Sequence, residues 1–156
     1  MAEKRKAPAR PRTPKRPTPK PKVAKPKPNL EKVAPSDVDL VTTKGTPGKG
    51  SGPGGHSWVI MTGGERAGVI YINFIDEPPV GKHASIQIFL NQKSQGRGVG
   101  RVAYRLASEA SQYDEVYAHM RKANVASRRA AEEAGYIDVS PPGFTQLIMK
   151  WERKRQ

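Results

Sequence analysis

The residues Gln95-Gly96-Arg97-Gly98-Val99-Gly100 decide how this sequence is read. On their N-terminal side Ala84 to Leu90 alternates, with Ile86, Ile88 and Leu90 on one face and Ser85, Gln87 and Phe89 on the other, as in a half-buried strand. On their C-terminal side Val99, Val102, Ala103, Leu106, Ala107 and Ala110 recur at helical spacing, and Arg101, Arg105 and Glu109 fall opposite them. A strand therefore hands over directly to an amphipathic helix. Alternate glycines strip side chains from the connection, so successive backbone N–H groups can converge on one anion, and the positive end of the helix dipole points to the same place. Arg97 and Arg101 add charge-assisted donors, which makes Gln95 to Arg101 a diphosphate cradle. A tight strand-to-helix turn under a basic surface uses the same glycines, and the residues alone leave that alternative open. The loop has no Lys-Ser/Thr ending, as a nucleotide triphosphatase needs, and its Gly-x-Gly-x-Gly spacing is not that of a dinucleotide fold.

Outward from this loop, Asp39 to Thr43, Trp58 to Thr62 and Val69 to Ile75 read as strands, and Gly63-Gly64-Glu65-Arg66 joins the last two as a hairpin. Gly45 to Gly55, with six glycines and two prolines, is loop. Glu115 to Met120 returns to strand period, with Val116, Ala118 and Met120 facing one way and Tyr117 and His119 the other. Asn124 suits the N-cap of an Ala-rich helix that ends at Gly135, and Thr145 to Trp151 is the last strand. The aromatic residues Trp58, Tyr71, Phe74 and Trp151 fall in strands, where ordinary core packing is their expected use. The order predicts an α+β domain over residues 35–156.

The chain has 156 residues, and its 28 Lys and Arg against 14 Asp and Glu give a net charge of +14. Residues 1–34 hold 12 of the basic and two of the acidic residues, together with eight of the 15 prolines, so the excess charge belongs to a tail. With almost nothing apolar larger than Ala, that tail cannot offset its ordering entropy, and it is expected to be disordered and extended. It should attract DNA or RNA non-specifically through counterion release, while the lack of aromatic residues removes base stacking and sequence readout. The remaining 122 residues suffice for one layered core. The absence of cysteine excludes a disulfide framework, a thiolate metal site and a Cys nucleophile, and no metal is implied. No apolar run reaches the ~18 to 20 residues of a membrane span, and the N-terminus lacks a secretory core, so a cytoplasmic protein without a membrane partner is expected.

The segment Gln95-x-x-Gly98-x-Gly100 after a strand resembles the acyl-CoA pyrophosphate motif of the GNAT N-acetyltransferases, Gln/Arg-x-x-Gly-x-Gly/Ala. Asn124-x-x-Ser127 followed by Gly135-Tyr136 is similar to the family's Asn-x-x-Ala/Ser…Gly-Phe/Tyr helix. Two motifs in the right order are far more specific than either alone, and the resemblance covers roughly residues 37–152. It implies a mixed central sheet in which the strand Ala84 to Leu90 splays from Glu115 to Met120, with flanking helices and the pantetheine arm of acetyl-CoA in the gap. The backbone of Ile88, Phe89 and Leu90 would pair with pantetheine amides, and an N–H near Leu90 would donate to the thioester carbonyl. The N–H groups of Gly96, Gly98 and Gly100 would hold the pyrophosphate, flanked by Gln95, Arg97, Val99 and Arg101, and Asn124 and Ser127 would complete the cosubstrate site.

The implied chemistry is attack of a primary amine on the thioester, for which a base must take the amine proton. His119 matches the position of a carboxylate base in family members that acetylate protein N-termini, and an idle sheet histidine is its equally weighted alternative. Glu77 and His83 are reserve candidates, and His56 is a weaker one. The sequence departs from the family twice. The Tyr that protonates the leaving thiolate is replaced by Ala131, leaving Tyr104, Tyr136 or water as donor, and the helices that usually wall the acceptor site are replaced by Gly45 to Gly55. The leading reading is an acetyl-CoA-dependent N-acetyltransferase acting on an amine of a small molecule or protein. Its alternative is a non-catalytic nucleic-acid-binding protein with a CoA-binding GNAT-like domain. A purely structural basic protein leaves the glycine loop unexplained. Acceptor, acyl chain and oligomeric state are not written in these residues.

Overall fold

Short antiparallel connections build the first half of the molecule. The computed structural model describes residues 31–154 and, before them, Pro8, Ala9, Pro11, Thr13 and Pro14. Of the tail expected over residues 1–34, residues 31–34 instead join the folded domain, since Val33 is buried in its core; apart from the five residues named, the rest lies outside the described residues. After a 3-10 turn at Pro35–Asp37, β1 (Val38–Thr43), β2 (His56–Thr62), β3 (Glu65–Glu77) and β4 (Gly81–Leu90) each pair antiparallel with the strand before. Gly63 and Gly64, at φ 56° and 82°, close the β2–β3 hairpin, since a two-residue turn that matches strand twist needs positive φ. The strand β3 runs beyond Val69 to Ile75 at both ends. Its polar ends are held by pairing, Met61 with Arg66 and Asp76 with Lys82, which apolar alternation does not reveal.

The second half is wound through helices. After α1 (Val99–Ala110), β5 (Glu115–Arg121) lies parallel to β4, but only Ser85 with Tyr117 and Ile86 with Ala118 are paired. Past these pairs the strands splay. β4 continues to Leu90 along β3, and β5 continues along β7 (Gln146–Glu152). Between them in sequence come α2 (Val125–Glu133) and the two-residue β6 (Ile137–Asp138), too short for any period to betray. The sheet order is β1-β2-β3-β4-β5-β7-β6, a mixed seven-stranded sheet with two helices.

Both helices pack on one face. Ile60, Ile70, Ile72, Ile86 and Val116 from the sheet meet Val99, Ala103, Ala107 and Ala131 from the helices there, all essentially without solvent contact. Burying an aliphatic side chain of this size contributes about 1.5 to 3 kcal/mol. As expected from Asn124, its Oδ1 accepts the Ser127 N–H at 3.2 Å at the start of α2. Gly135, at φ 100°, ends the helix in a Schellman arrangement, with Gly135 N–H donating to Glu132 O and Tyr136 N–H to Ala131 O. Ala110 is exposed rather than inward, because α1 stops there and Ser111 takes the cap. Trp58, Tyr71 and Trp151 are buried as expected, whereas Phe74 is 47% exposed near the end of β3 and stacks on Tyr113 at 5.8 Å.

The other face carries no helix among the described residues. The glycine-rich connection lies over part of it, where Gly50 N–H donates to Asn73 Oδ1 and Asn73 Nδ2 to Gly48 O, each at 2.8 Å. The end of β4 is set by close backbone approach, since Gly68 faces Leu90 and a Cβ on Gly68 would collide with the Phe89 carbonyl oxygen. Gly68→Ala should therefore lower stability by about 1 to 3 kcal/mol, seen as a lower urea midpoint with unchanged slope. An unchanged midpoint would show that this pairing tolerates the methyl group.

Candidate active site

The diphosphate loop takes its shape from two glycines. Gly96 and Gly98 have φ of 74° and 78°, a region L side chains rarely adopt, and Gly98 is the N-cap of α1 with no side-chain cap. The first N–H groups of α1 are thus left for an external acceptor. Gly100 is under no such constraint: it lies in the first turn of α1, where a Cβ would stand 3.4 Å from the Ala130 Cβ and 3.9 Å from the Leu90 Cδ1, ordinary contact distances.

Between the splayed end of β4 and the starts of both helices is a groove of about 450 Å³. Ile88 and Leu90 form its apolar wall, Gln95, Gly96, Gly98, Val99, Gly100 and Arg101 its anion end, and Asn124 and Ser127 its α2 side. Ten of the expected site residues are brought together in this way. The Arg101 Nε is buried without a hydrogen-bond partner beside Gly98, and its guanidinium is 3.7 Å from Glu133, so an acceptor oxygen at the loop would satisfy it. That orphaned donor, the uncapped helix end and the apolar wall suit a ligand with a diphosphate and an apolar arm.

Several expected residues do something else. The Phe89 side chain is 57% exposed and stacks on Tyr71 at 6.2 Å on the other face of the sheet, outside the groove, while the role that the resemblance implies for Phe89 is one of its backbone. The Arg97 side chain turns away, its Nε donating to the Glu31 carbonyl at 3.1 Å. Gln95 uses its amide to bond the Leu90 carbonyl at 3.2 Å, shaping the turn out of β4. His56 stacks on Trp58 at 5.5 Å, away from the groove.

Tyr104, Arg129, Lys32 and Glu133 also line the groove, and sequence reasoning did not place them in the cosubstrate-binding set. Tyr104, one of the proton donors left open by Ala131, is buried on α1 with its hydroxyl 3.1 Å from Ser127 Oγ. Burial holds its phenol above the usual tyrosine range, against the lowering effect of the Ser127 contact. Tyr136 is closed off from the groove, since its hydroxyl is bonded to Ser108 in the core. Ala131 is fully buried in the same core.

On the helix-free face His83 and His119 meet, Nε2 to Nε2 at 2.8 Å. His83 is buried and its Nδ1 lies 2.7 Å from the Gly81 carbonyl, which can only accept, so His83 Nδ1 carries a hydrogen. With both rings neutral, His119 must then donate its Nε2–H to His83, leaving the lone pair on His119 Nδ1. Burial lowers the His119 pKa, proximity to His83 lowers it further, and Glu77 opposes both. The three expected acid–base residues therefore act on one another. Among the described residues no group of three or more His, Cys, Asp and Glu could hold a metal ion, and no helix is long and apolar enough to cross a membrane.

An Acetyltransferase (GNAT) domain model matches residues 29–137. No curated protein sequence matches the chain. Among solved structures, RimJ of Mycobacterium smegmatis in complex with CoA-disulfide gives a TM-score of 0.51 at 19% identity, over 63% of this chain and 53% of that one. A GNAT-family acetyltransferase of Streptococcus agalactiae gives 0.55 at 14% identity, over 64% and 66%. The microcin C7 self-immunity acetyltransferase MccE, in complex with acetyl-CoA and AMP, gives 0.52 at 20% identity, over 65% and 62%. The chain thus spans less than two thirds of the length of each of these structures, and at such identities the likeness is one of fold.

Because burial and a neighbouring ring disfavour the charged imidazole, His119 should titrate below ~6.5 by histidine NMR. His83→Ala should raise its pKa, and Glu77→Gln should lower it. Between the folded and unfolded pKa values the unfolded chain holds the extra proton, so this group's contribution to stability is complete above about 6.5 and is lost as pH falls below it. A His119 that titrates normally and ignores both substitutions would contradict the pairing.

Proposed function

We propose that this chain, which belongs to the GNAT acetyltransferase family, transfers an acetyl group from acetyl-CoA to a primary amine by direct attack on the thioester. The observation that carries this reading is the groove, which joins an uncapped helix end and an orphaned Arg101 donor to an apolar wall at the splayed strand. The diphosphate lies against Gly96, Gly98 and Gly100, and the pantetheine arm follows Ile88 and Leu90 toward the gap between β4 and β5. A backbone N–H near Leu90 faces the thioester oxygen, and a donor so placed is worth about 3 kcal/mol where charge develops.

An alkylamine titrates near ~10 and must lose a proton to react. His119 takes it at Nδ1, while its Nε2–H stays bonded to His83 and Glu77 favours the resulting imidazolium. The amine nitrogen bonds the acyl carbon, the carbon–sulfur bond breaks, and the thiolate takes a proton from Tyr104, which regains one from solvent. Burial keeps that phenol protonated, and Tyr104 replaces the donor that Ala131 cannot supply.

The acceptor approaches from the helix-free face, where His83 and His119 stand. We further read residues 1–30 as a basic segment that binds DNA or RNA non-specifically, ahead of a catalytic domain that begins at Glu31 rather than at Pro35, because Val33 is buried in its core. The competing reading, a CoA-binding domain without turnover, is favoured by Ala131 and separated by the same assay.

With acetyl-CoA and a panel of amines, mass spectrometry should find one acetylated class, and His119→Ala should cut its kcat about 100-fold. Tyr104→Phe should cost about tenfold, less because a thiol of pKa ~8.5 is a tolerable leaving group. Binding of acetyl-CoA with no acetylated amine would leave the non-catalytic reading standing. For the basic segment, duplex DNA affinity should fall steeply with salt and be lost on deleting residues 1–30. Affinity that survives the deletion would place nucleic-acid binding in the folded domain and overturn this reading of the basic segment.

A further inference from the structure

The basic segment does not end where the folded domain begins. Val33 is buried in the main core, and its N–H donates to the Arg97 carbonyl at 2.8 Å. In return the Arg97 side chain donates to the Glu31 carbonyl at 3.1 Å. Two hydrogen bonds and one apolar anchor thus fasten residues 31–34 to the middle of the glycine loop. Between the two fastened residues stands Lys32, exposed and lining the groove together with Gly96, Gly98 and Arg101. No carboxylate pairs with Lys32 among the described residues. Arg129 lines the same groove from α2.

We propose that residues 31–34 are a strap of the diphosphate site and that Lys32 is a phosphate ligand of the bound cosubstrate. The inference rests on the acetyl-CoA reading above and adds to it a ligand from outside the Gly-x-Gly-x-Gly loop. An ammonium at this place adds a point charge on a flexible stem to the backbone donors of α1. Because the strap is bonded to the loop that holds the anion, filling the groove and fixing the base of the basic segment favour one another to the same degree. A polyanion drawing on residues 1–30 therefore acts next to the cosubstrate site.

Isothermal titration of the full chain with CoA tests this directly. Lys32→Ala should weaken CoA binding about tenfold, the worth of about one charge-assisted contact, and Lys32→Glu should weaken it more. Binding of pantetheine, which has no phosphate, should not change with either substitution, and Lys44→Ala should leave both affinities as they are. CoA should also slow tryptic cleavage after Lys32, read by mass spectrometry as the fragment beginning at Val33. Wild-type protein that fails to bind CoA would remove the acetyl-CoA reading and the strap with it. Wild-type binding that Lys32→Ala leaves intact, with no protection of the Lys32–Val33 bond, would remove the strap alone.

Discussion

The start of α1 carries backbone donors that no side chain caps, and much of the surrounding structure keeps those donors aimed at one groove. Gly96 and Gly98 hold the left-handed turns that bring the chain round from β4, the Gln95 amide ties that turn to the Leu90 carbonyl, and α2 forms another wall with Asn124, Ser127 and Ala130. The free N–H groups and the dipole of a 12-residue helix then act on the same volume. A side chain at Gly96 or Gly98 would strain the turn.

The sheet divides the labour between its faces. On the helix-bearing face lie the core and the groove, where dispersion and burial fix the positions of Ile88, Leu90 and Tyr104. On the helix-free face lie polar and titratable groups, with His83 and His119 in contact and Glu77 close enough to bias His119. The two sides communicate where β4 and β5 stop pairing after Ser85 and Ile86, since a splayed pair of strands is the one place in a continuous sheet where a reacting group can reach from one face to the other. Burial and the neighbouring ring both disfavour charge on His119, which keeps that imidazole neutral near neutral pH.

Much of this was legible in the residues. Alternation in Ala84 to Leu90, the helical period from Val99 and the intervening glycines were enough to expect the strand, the helix and the loop, because these signals are local and strong. Asn124 and Gly135 marked both ends of α2 for the same reason. What depends on long-range contact was not legible. The side chains of His83 and His119, 36 residues apart, meet only once β5 is laid beside β4. Tyr104 and Tyr136 stood as equal alternatives for the proton donor, and only packing separates them, Tyr104 reaching Ser127 at the groove and Tyr136 bonding Ser108 in the core. Arg97, in a basic loop, looked like a phosphate ligand, but its partner is a carbonyl at Glu31, in a segment whose composition suggested no structure. Val33 was one apolar residue among lysines and prolines, too little to signal an anchor.

The most direct test of the central claim is to follow the backbone amide resonances of the whole chain while CoA is added. The account predicts that the amides of Gly96, Gly98, Val99 and Gly100 move most, and downfield, as their N–H groups acquire an anionic acceptor, with Ile88 and Leu90 following. Saturable shifts centred anywhere else in the molecule, or no saturable shift at all, would contradict it.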